Sequence, residues 1–488
     1  MSIPTLTTFC VYIFVMLGIG VAAYRTTNNL DDYILGGRRL GPGVTALSAG
    51  ASDMSGWLLL GLPGALYLGG LGESWIAIGL LAGALTNWIF VARPLREQTE
   101  HLHALTLPDF FEARFQDDGH LLRLVSAVVI LLFFTFYAAS GMVAGATLFS
   151  STFDLPYVTS LLLGAVVIVT YTAVGGFLAV SWTDFIQGML MFLALILVPM
   201  FMISEIGGVA ATREALAAVD PTHLSLTADA TALGVISLAA WGLGYFGQPH
   251  ILVRFMAIRS PDEIGKAGTI GMSWMLLSSI GAVGVGVIGI AYLNAVGSPL
   301  DPADSETIFI VSTQLLFNPW IAGVLLAGIL AAVMSTIDSQ LLVSSSALSE
   351  DFYKTWLKPH ASERELVIVG RITVLAIAVI AVLIALDPQS KVLGLVSYAW
   401  AGLGASFGPV IIMSLYYRRM TRNGAIAGMV VGAATVVTWK QLSGGLFDLY
   451  EILPAFVFAL LAIFVVSQLQ PNSANEAGAG PAARPDAG

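Results

Sequence analysis

Apolar runs of about twenty residues, each closed off by charge clusters or turn-forming residues, recur along the whole chain. A run of that length crosses the hydrocarbon core of a bilayer as a single helix. Thirteen are predicted, at 6–24, 43–68, 71–91, 122–150, 156–176, 182–204, 230–252, 268–296, 320–348, 366–386, 391–415, 424–440 and 450–468. The third carries Trp75, Asn87 and Trp88 between Glu73 and Arg93; the twelfth, among the shortest, carries Gly428 and Gly432. An odd number of crossings puts the two termini on opposite faces. Residues 469–488, dominated by Gly, Ala, Pro, Asn and Ser, lack the apolar side chains to build a core and are expected as a disordered tail.

Composition turns this pattern into a class. Of 488 residues 57% are hydrophobic and only 11% are charged, against about 25% in an ordinary soluble domain. Twenty-one basic and 31 acidic side chains cannot clothe a soluble body of this size, so the lipid bilayer is the expected surroundings. A net charge of -10 with no basic stripe excludes a nucleic-acid partner. The lone Cys10 excludes an internal disulfide and a cysteine-ligated metal, and reads as a small apolar residue of the first helix. Nothing basic precedes the first run, so it reads as a retained helix rather than a cleaved signal. The histidines show no ligand spacing, no phosphate-binding loop occurs, and no Ser-His-Asp set is present. Neither an enzyme, a bound cofactor nor an obligate protein partner is expected.

Basic residues set the orientation. With the N-terminus outside, 18 of the 21 Lys and Arg residues fall in cytoplasmic segments, among them Arg38, Arg93, Arg123, Arg254 and Lys354. Only Arg213, Lys391 and Lys440 lie outside. That skew predicts an N-terminus outside and a C-terminus in the cytoplasm.

Two of the runs are interrupted where a plain anchor would not be. The second opens at Gly41-Pro42-Gly43, passes through Ser48, Ala51-Ser52-Asp53-Met54-Ser55-Gly56-Trp57, and reaches Gly61-Leu62-Pro63-Gly64. The seventh reads Trp241-Gly242-Leu243-Gly244-Tyr245-Phe246-Gly247-Gln248-Pro249-His250. Pro249 has no N–H to close a helical bond, and the glycines permit unwinding. Runs two to six and seven to eleven form two groups of five, each opening on a broken helix and, because five is odd, starting from opposite faces. Paired broken helices in an inverted repeat mark the binding site of a secondary transporter.

Polar side chains at membrane depth need a reason. Ala332, Ser335, Thr336 and Ser339 share one face of the ninth run, where the Ser335 and Thr336 hydroxyls either bond back to their own helix or complete a small-cation shell begun by freed carbonyls of the second. Asp53 and Asp338 are the carboxylates expected deepest in the membrane. Asp184 is expected in the first turn of the sixth run, either as a helix-start carboxylate or on an ion exit path.

The stretches Ala51–Trp57, Gly175–Asp184 and Ala331–Thr336 resemble the sodium/solute symporter family, and Trp241–His250 with Glu350–Lys354 resemble its proline-carrying branch. The likeness runs from about residue 5 to 465. It implies an all-α, LeuT-like fold of thirteen helices in a five-plus-five inverted repeat. The expected units are 1–42 (first span and loop), 43–206 and 229–415 (the repeats), 416–468 (two further spans) and the tail 469–488. It implies a sodium site of Ala51, Met54, Ala332, Ser335 and Thr336, with Asp53, Ser55 and Gly56 important for sodium and proline use. Tyr137, Trp241, Tyr245 and Pro249 match positions around the substrate; Asp184 matches a carboxylate linked to sodium passage and Arg38 an arginine linked to coupling. Asp338-Ser339 departs from the proline-carrying branch, which has a hydroxyl and a thiol there, while aspartate is common at that position elsewhere in the family. The expected function is sodium-coupled uptake of L-proline across the bacterial cytoplasmic membrane. The alternative is symport of another small carboxylate or amino acid such as pantothenate.

Overall fold

The computed structural model describes residues 2–24, 34–172, 177–228 and 230–470. The expected tail beyond 470, residues 25–33 with Arg25, and the glycine pair Gly175-Gly176 lie outside the described residues. Among those described the chain is all-helical; its one departure is an isolated bridge between Leu40 and Ile258.

The helices, in chain order, are α1 (Ile3–Tyr24), α2 (Pro42–Asp53), α3 (Leu62–Gly69), α4 (Ser74–Phe90), α5 (Ala92–His101), α6 (Leu107–Phe115), α7 (Leu121–Phe153), α8 (Tyr157–Thr172), α9 (Phe177–Ile206) and α10 (Val209–Val219). There follow α11 (Ala232–Ala239), α12 (Pro249–Ala257), α13 (Ile264–Ala295), α14 (Ile308–Leu316), α15 (Pro319–Ser346), α16 (Glu363–Ile384), α17 (Val392–Tyr416), α18 (Arg422–Trp439) and α19 (Ile452–Leu469). Eight helical stretches among the described residues are long and apolar enough to cross a membrane, and shorter apolar ones occupy 3–19, 157–170 and 232–247. The apolar residues left bare, such as Phe14, Val166, Ile280 and Val379, lie on helix faces turned away from the core, as lipid-facing side chains do. Cys10 is exposed on α1 in the same way.

Both expected interruptions are present. Helix α2 stops at Asp53, Met54 leaves helical geometry at φ -83° and ψ 73°, and winding resumes from Trp57. The second break is longer: α11 ends at Ala239, a tight 3₁₀ stretch covers Ala240–Gly247, Gln248 is extended, and α12 starts on Pro249. Pro249 is therefore the first residue of a new helix, where its missing N–H costs nothing.

Buried main-chain groups freed by a break must find partners. The Trp241 carbonyl accepts from Trp400 Nε1 at 2.7 Å, that of Gly244 from Gln248 Nε2 at 3.2 Å, and that of Tyr245 from Asn87 Nδ2 at 3.0 Å. The unwound segment is wedged between α4 and α17 by direct backbone approach. A Cβ on Gly83 would lie 2.1 Å from the Gly242 oxygen, and one on Gly404 2.7 Å from Gly244 Cα. Side chains at those points would push the break off the helices that satisfy it.

Candidate functional site

The end of α2 meets the middle of α15. The Ser335 hydroxyl donates to the Ala51 carbonyl at 2.8 Å and lies 3.1 Å from its own helix's Ala332 carbonyl. Thr336 Oγ1 reaches the same Ala51 oxygen at 3.5 Å. Met54 ends α2 one turn on. Four of the five residues expected around a cation are thus drawn together; the Ser335 hydroxyl bonds back to its own helix, as one expected reading had it, and also meets a carbonyl at the end of α2. All these donors are neutral oxygens, which suit a small hard cation. Among the described residues no cluster of three or more His, Cys, Asp or Glu side chains offers a metal site.

Asp53 lies beside this contact but faces the other way, into an aromatic cage. Its carboxylate accepts from the Tyr245 hydroxyl. Its main-chain carbonyl accepts from the Tyr137 hydroxyl and from Trp57 Nε1, both at 3.2 Å. Ser55 turns with the break, its N–H 2.9 Å from the Asp53 carbonyl. Gly56 packs so closely that a Cβ would stand 2.6 Å from Ala144 Cβ, so its part is to let α2–α3 approach α7. Trp241 stacks on Tyr450 with ring centroids 5.2 Å apart and faces Trp57 at 6.3 Å, while Tyr245 meets Trp400 edge-on at 5.1 Å. Pro249 stands apart from this group, on a separate cavity toward the opposite face. The four expected substrate positions therefore form a column: Trp241 at one end, Tyr137 and Tyr245 in the middle, Pro249 at the other.

Asp184 is not at a helix start. Helix α9 begins at Phe177, so Asp184 sits two turns in and is fully buried. It pairs with Arg254, Nη2 to Oδ2 3.1 Å, and accepts from the Ser48 hydroxyl at 2.7 Å. Arg254, counted above among loop residues, is itself fully buried. Its guanidinium also reaches Ser48 Oγ at 3.1 Å, Ser339 Oγ at 2.5 Å and the His250 carbonyl at 2.7 Å, so it joins α2, α9, α12 and α15. Asp338, buried next to Ser339, lies within electrostatic reach of Arg254. The expectation that Asp53 and Asp338 are the deep carboxylates thus extends to Asp184, and the three divide between two places: Asp53 in the aromatic cage, Asp184 and Asp338 around Arg254.

On the face that carries most loop arginines, Arg38 binds the segment ends together. It donates to the carbonyls of Met256 at 2.7 Å, Ala104 at 2.8 Å and Thr99 at 3.1 Å. Arg96 Nε takes the Ile258 carbonyl at 2.7 Å. Cations on the carbonyl end of α12 match the helix dipole. The two ends of the molecule differ sharply in access. A vestibule of about 600 Å³, lined by Glu73, Trp241, Glu306, Lys391, Lys440 and Tyr450, opens on the opposite face. Toward the arginine-rich face the described residues enclose a cavity of about 30 Å³ between Leu107, Pro249, Arg254 and Asp351. At the vestibule rim Glu306 accepts from the N–H groups of Val392 and Leu393 at 2.9 and 3.0 Å, capping α17; burial raises its carboxyl above the usual range against those donors.

The model of the family described as "Sodium:solute symporter family" matches residues 33–432. The chain belongs to the sodium:solute symporter family. It is similar to the sodium/proline symporter of Escherichia coli (strain K12), 56% identical over 472 residues that cover 96% of this chain and 93% of that one. The high-affinity proline transporter PutP of Bacillus subtilis (strain 168) is 56% identical over 456 residues, 93% of this chain and 96% of that one. A solved Na+-coupled sialic acid symporter, substrate-bound and outward-open, matches with a TM-score of 0.81 at 20% identity, covering 96% of this chain and 99% of that one. At that identity the likeness is one of fold, the LeuT-like fold of sodium symporters. This sodium:solute symporter is a multi-pass membrane transporter and not an enzyme.

Sequence reasoning missed several members of this symporter's site. Arg254, Ser48, Asn87, Gln248 and Trp400 all make buried polar contacts across helices. One local signal was available for Arg254: an arginine inside the apolar run Ile251-Leu252-Val253-Arg254-Phe255-Met256 has no place in a hydrated loop.

Proposed function

We propose that the chain carries L-proline together with sodium across the bacterial cytoplasmic membrane, with its arginine-rich face in the cytoplasm, its N-terminus outside and thirteen crossings arranged as a five-plus-five inverted repeat and two further helices. The observation that carries the ion half of this reading is the convergence of Ser335 and Thr336 on the Ala51 carbonyl at a helix break. Proline is preferred over pantothenate because the relatives at 56% identity are named for proline. Sodium enters from the vestibule, settles between α2 and α15, and fixes the broken helix. The substrate carboxylate meets N–H groups freed at the breaks, and the apolar ring packs against Tyr137, Tyr245 and Trp241. Opening of the opposite cavity then releases sodium past Asp184, with Asp338 beside it, and proline past Pro249. Asp53 acts through Tyr245, which it orients.

Vesicles loaded to carry either a sodium or a proton gradient test the coupling. Labelled proline should accumulate only with sodium and should move net charge inward. Accumulation driven by protons in sodium-free medium, unaltered by added sodium, rejects the coupling. For the substrate column, Tyr245→Ala and Trp241→Ala should each weaken proline binding by about tenfold or more, as loss of a buried aromatic face from a ligand does. Unchanged affinity in both purified variants makes these rings packing residues.

A further inference from the structure

The closed cytoplasmic end contains a second ionic cluster that the transport reading leaves unused. Arg123, at the start of α7, donates to three carboxylates at once: Asp109 and Glu112 of α6, and Asp351, at 3.0 Å, beyond the end of α15. His120 joins Glu112 at 3.0 Å. Asp351 is almost wholly buried, and its Oδ1 is also 3.4 Å from the Thr106 hydroxyl. Past Ser346 the chain winds with one extra residue per turn through Ala347–Leu357, and this stretch presents Asp351 to Arg123. Such wide turns recur at functional positions.

The cluster secures a short strap, 104–109. Thr106 caps α6, its hydroxyl accepting from Asp109 N at 3.1 Å, and Asp109 Oδ2 accepts in return from Leu105 N at 2.9 Å. This reciprocal capping makes the strap rigid. One end is fixed by Arg38 on the Ala104 carbonyl, the other by Arg123 on Asp109. Between them Thr106, Leu107 and Pro108 form one wall of the cytoplasmic cavity, and Leu342, Val343, Ser346, Ala347 and Asp351 form the facing wall. Asp351 is where the two walls are joined by polar contacts. Two charged side chains line this mostly apolar cavity, Arg254 at its deep end and Asp351 at its rim.

We propose that the strap is the cytoplasmic lid over the exit cavity and that Asp351 is its bolt, a positioning residue that holds the lid to α15 through Thr106 and Arg123 and so governs how readily the exit opens. The inference rests on the transport reading for its direction, from closed to open toward the cytoplasm. Partners of Arg123 other than Asp351 stay on α6, so loss of the bolt frees α15 from the lid without dismantling the cluster.

Labelling of a buried wall residue reads the opening directly. In a background with Cys10→Ser, Ala347→Cys places a thiol on the cavity wall, and a membrane-impermeant maleimide is applied from the cytoplasmic side of inside-out vesicles in sodium without proline. Because proline is absent, the outcome does not depend on the substrate assigned above. Adding Asp351→Asn is expected to raise the labelling rate by about tenfold, the loss of one charged hydrogen bond. Thr106→Val, which removes only the hydroxyl, should raise it in the same direction. A rise of less than about threefold with Asp351→Asn in a monodisperse protein overturns the proposal. Should that variant not purify, Arg123→Lys, which keeps the charge but cannot span three acceptors, is judged by the same threshold.

Discussion

Arg254→Met should lower the stability of the detergent-purified protein by about 3–5 kcal/mol, the cost of leaving a buried charge without its partner. The side chain removed is fully buried and holds four helices through Asp184, Ser48, Ser339 and the His250 carbonyl. Methionine fills much of the same volume, so the loss is electrostatic rather than a cavity. Arg254→Lys should recover only part of it, since an ammonium cannot serve the same planar set of acceptors. Neutralising Asp184 in the Arg254→Met background should restore a share of the melting temperature, because the two effects are coupled. Identical melting of Arg254→Met and the parent would show that Asp184 is protonated and needs no partner.

Ser335→Ala and Thr336→Ala should each raise the sodium concentration for half-maximal uptake about ten- to hundred-fold, from roughly 1.5–3 kcal/mol for the one charge-bound oxygen lost, with the double variant most affected. Both side chains are small and converge on one carbonyl, so the substitutions take away oxygens without opening a large void. Proline binding at saturating sodium should recover far more than at low sodium, because the two sites are linked. Sodium titration of the folded double variant checks it; an unchanged affinity makes the hydroxyls a packing contact between α2 and α15.

What could be read from the chain alone depended on whether the signal was local. The two breaks were legible because glycine and proline announce lost helical bonds at the residues themselves, and helix α2 does end within the Ala51–Gly56 stretch. The Ser335 face was legible from helical spacing. Asp184 was misplaced because the apolar count began at Trp182, whereas helical geometry extends back to Phe177. Its partner Arg254 lies 70 residues away, a distance over which sequence carries no physical record of contact. The basic-residue count that set the orientation took Arg254 for a loop residue; without it the cytoplasmic tally is 17 against 3, and the skew survives. The capping of α17 by Glu306 and the three-carboxylate grip of Arg123 were hidden for the same reason as the Asp184 pair.

The unequal ends of the molecule decide where a membrane voltage is felt. Electrical potential falls across low-dielectric material and hardly at all across water, and the vestibule of about 600 Å³ brings bulk water down to Trp241 and Tyr450. Below that floor the described residues leave small spaces, one of about 20 Å³ beside Asp53 and Tyr245 and one of about 30 Å³ toward the other face. In this conformation the field is therefore concentrated over the layer that holds Ala51, Asp53 and Asp184 rather than spread over the full thickness of about 30 Å. A sodium ion crossing that layer collects nearly the whole of the ~2.3 kcal/mol that 100 mV offers a unit charge. On the proposed ion path the electrically sensitive steps are then the ion's final descent to Ala51 and its departure past Asp184, while a zwitterionic solute entering the vestibule meets almost no field.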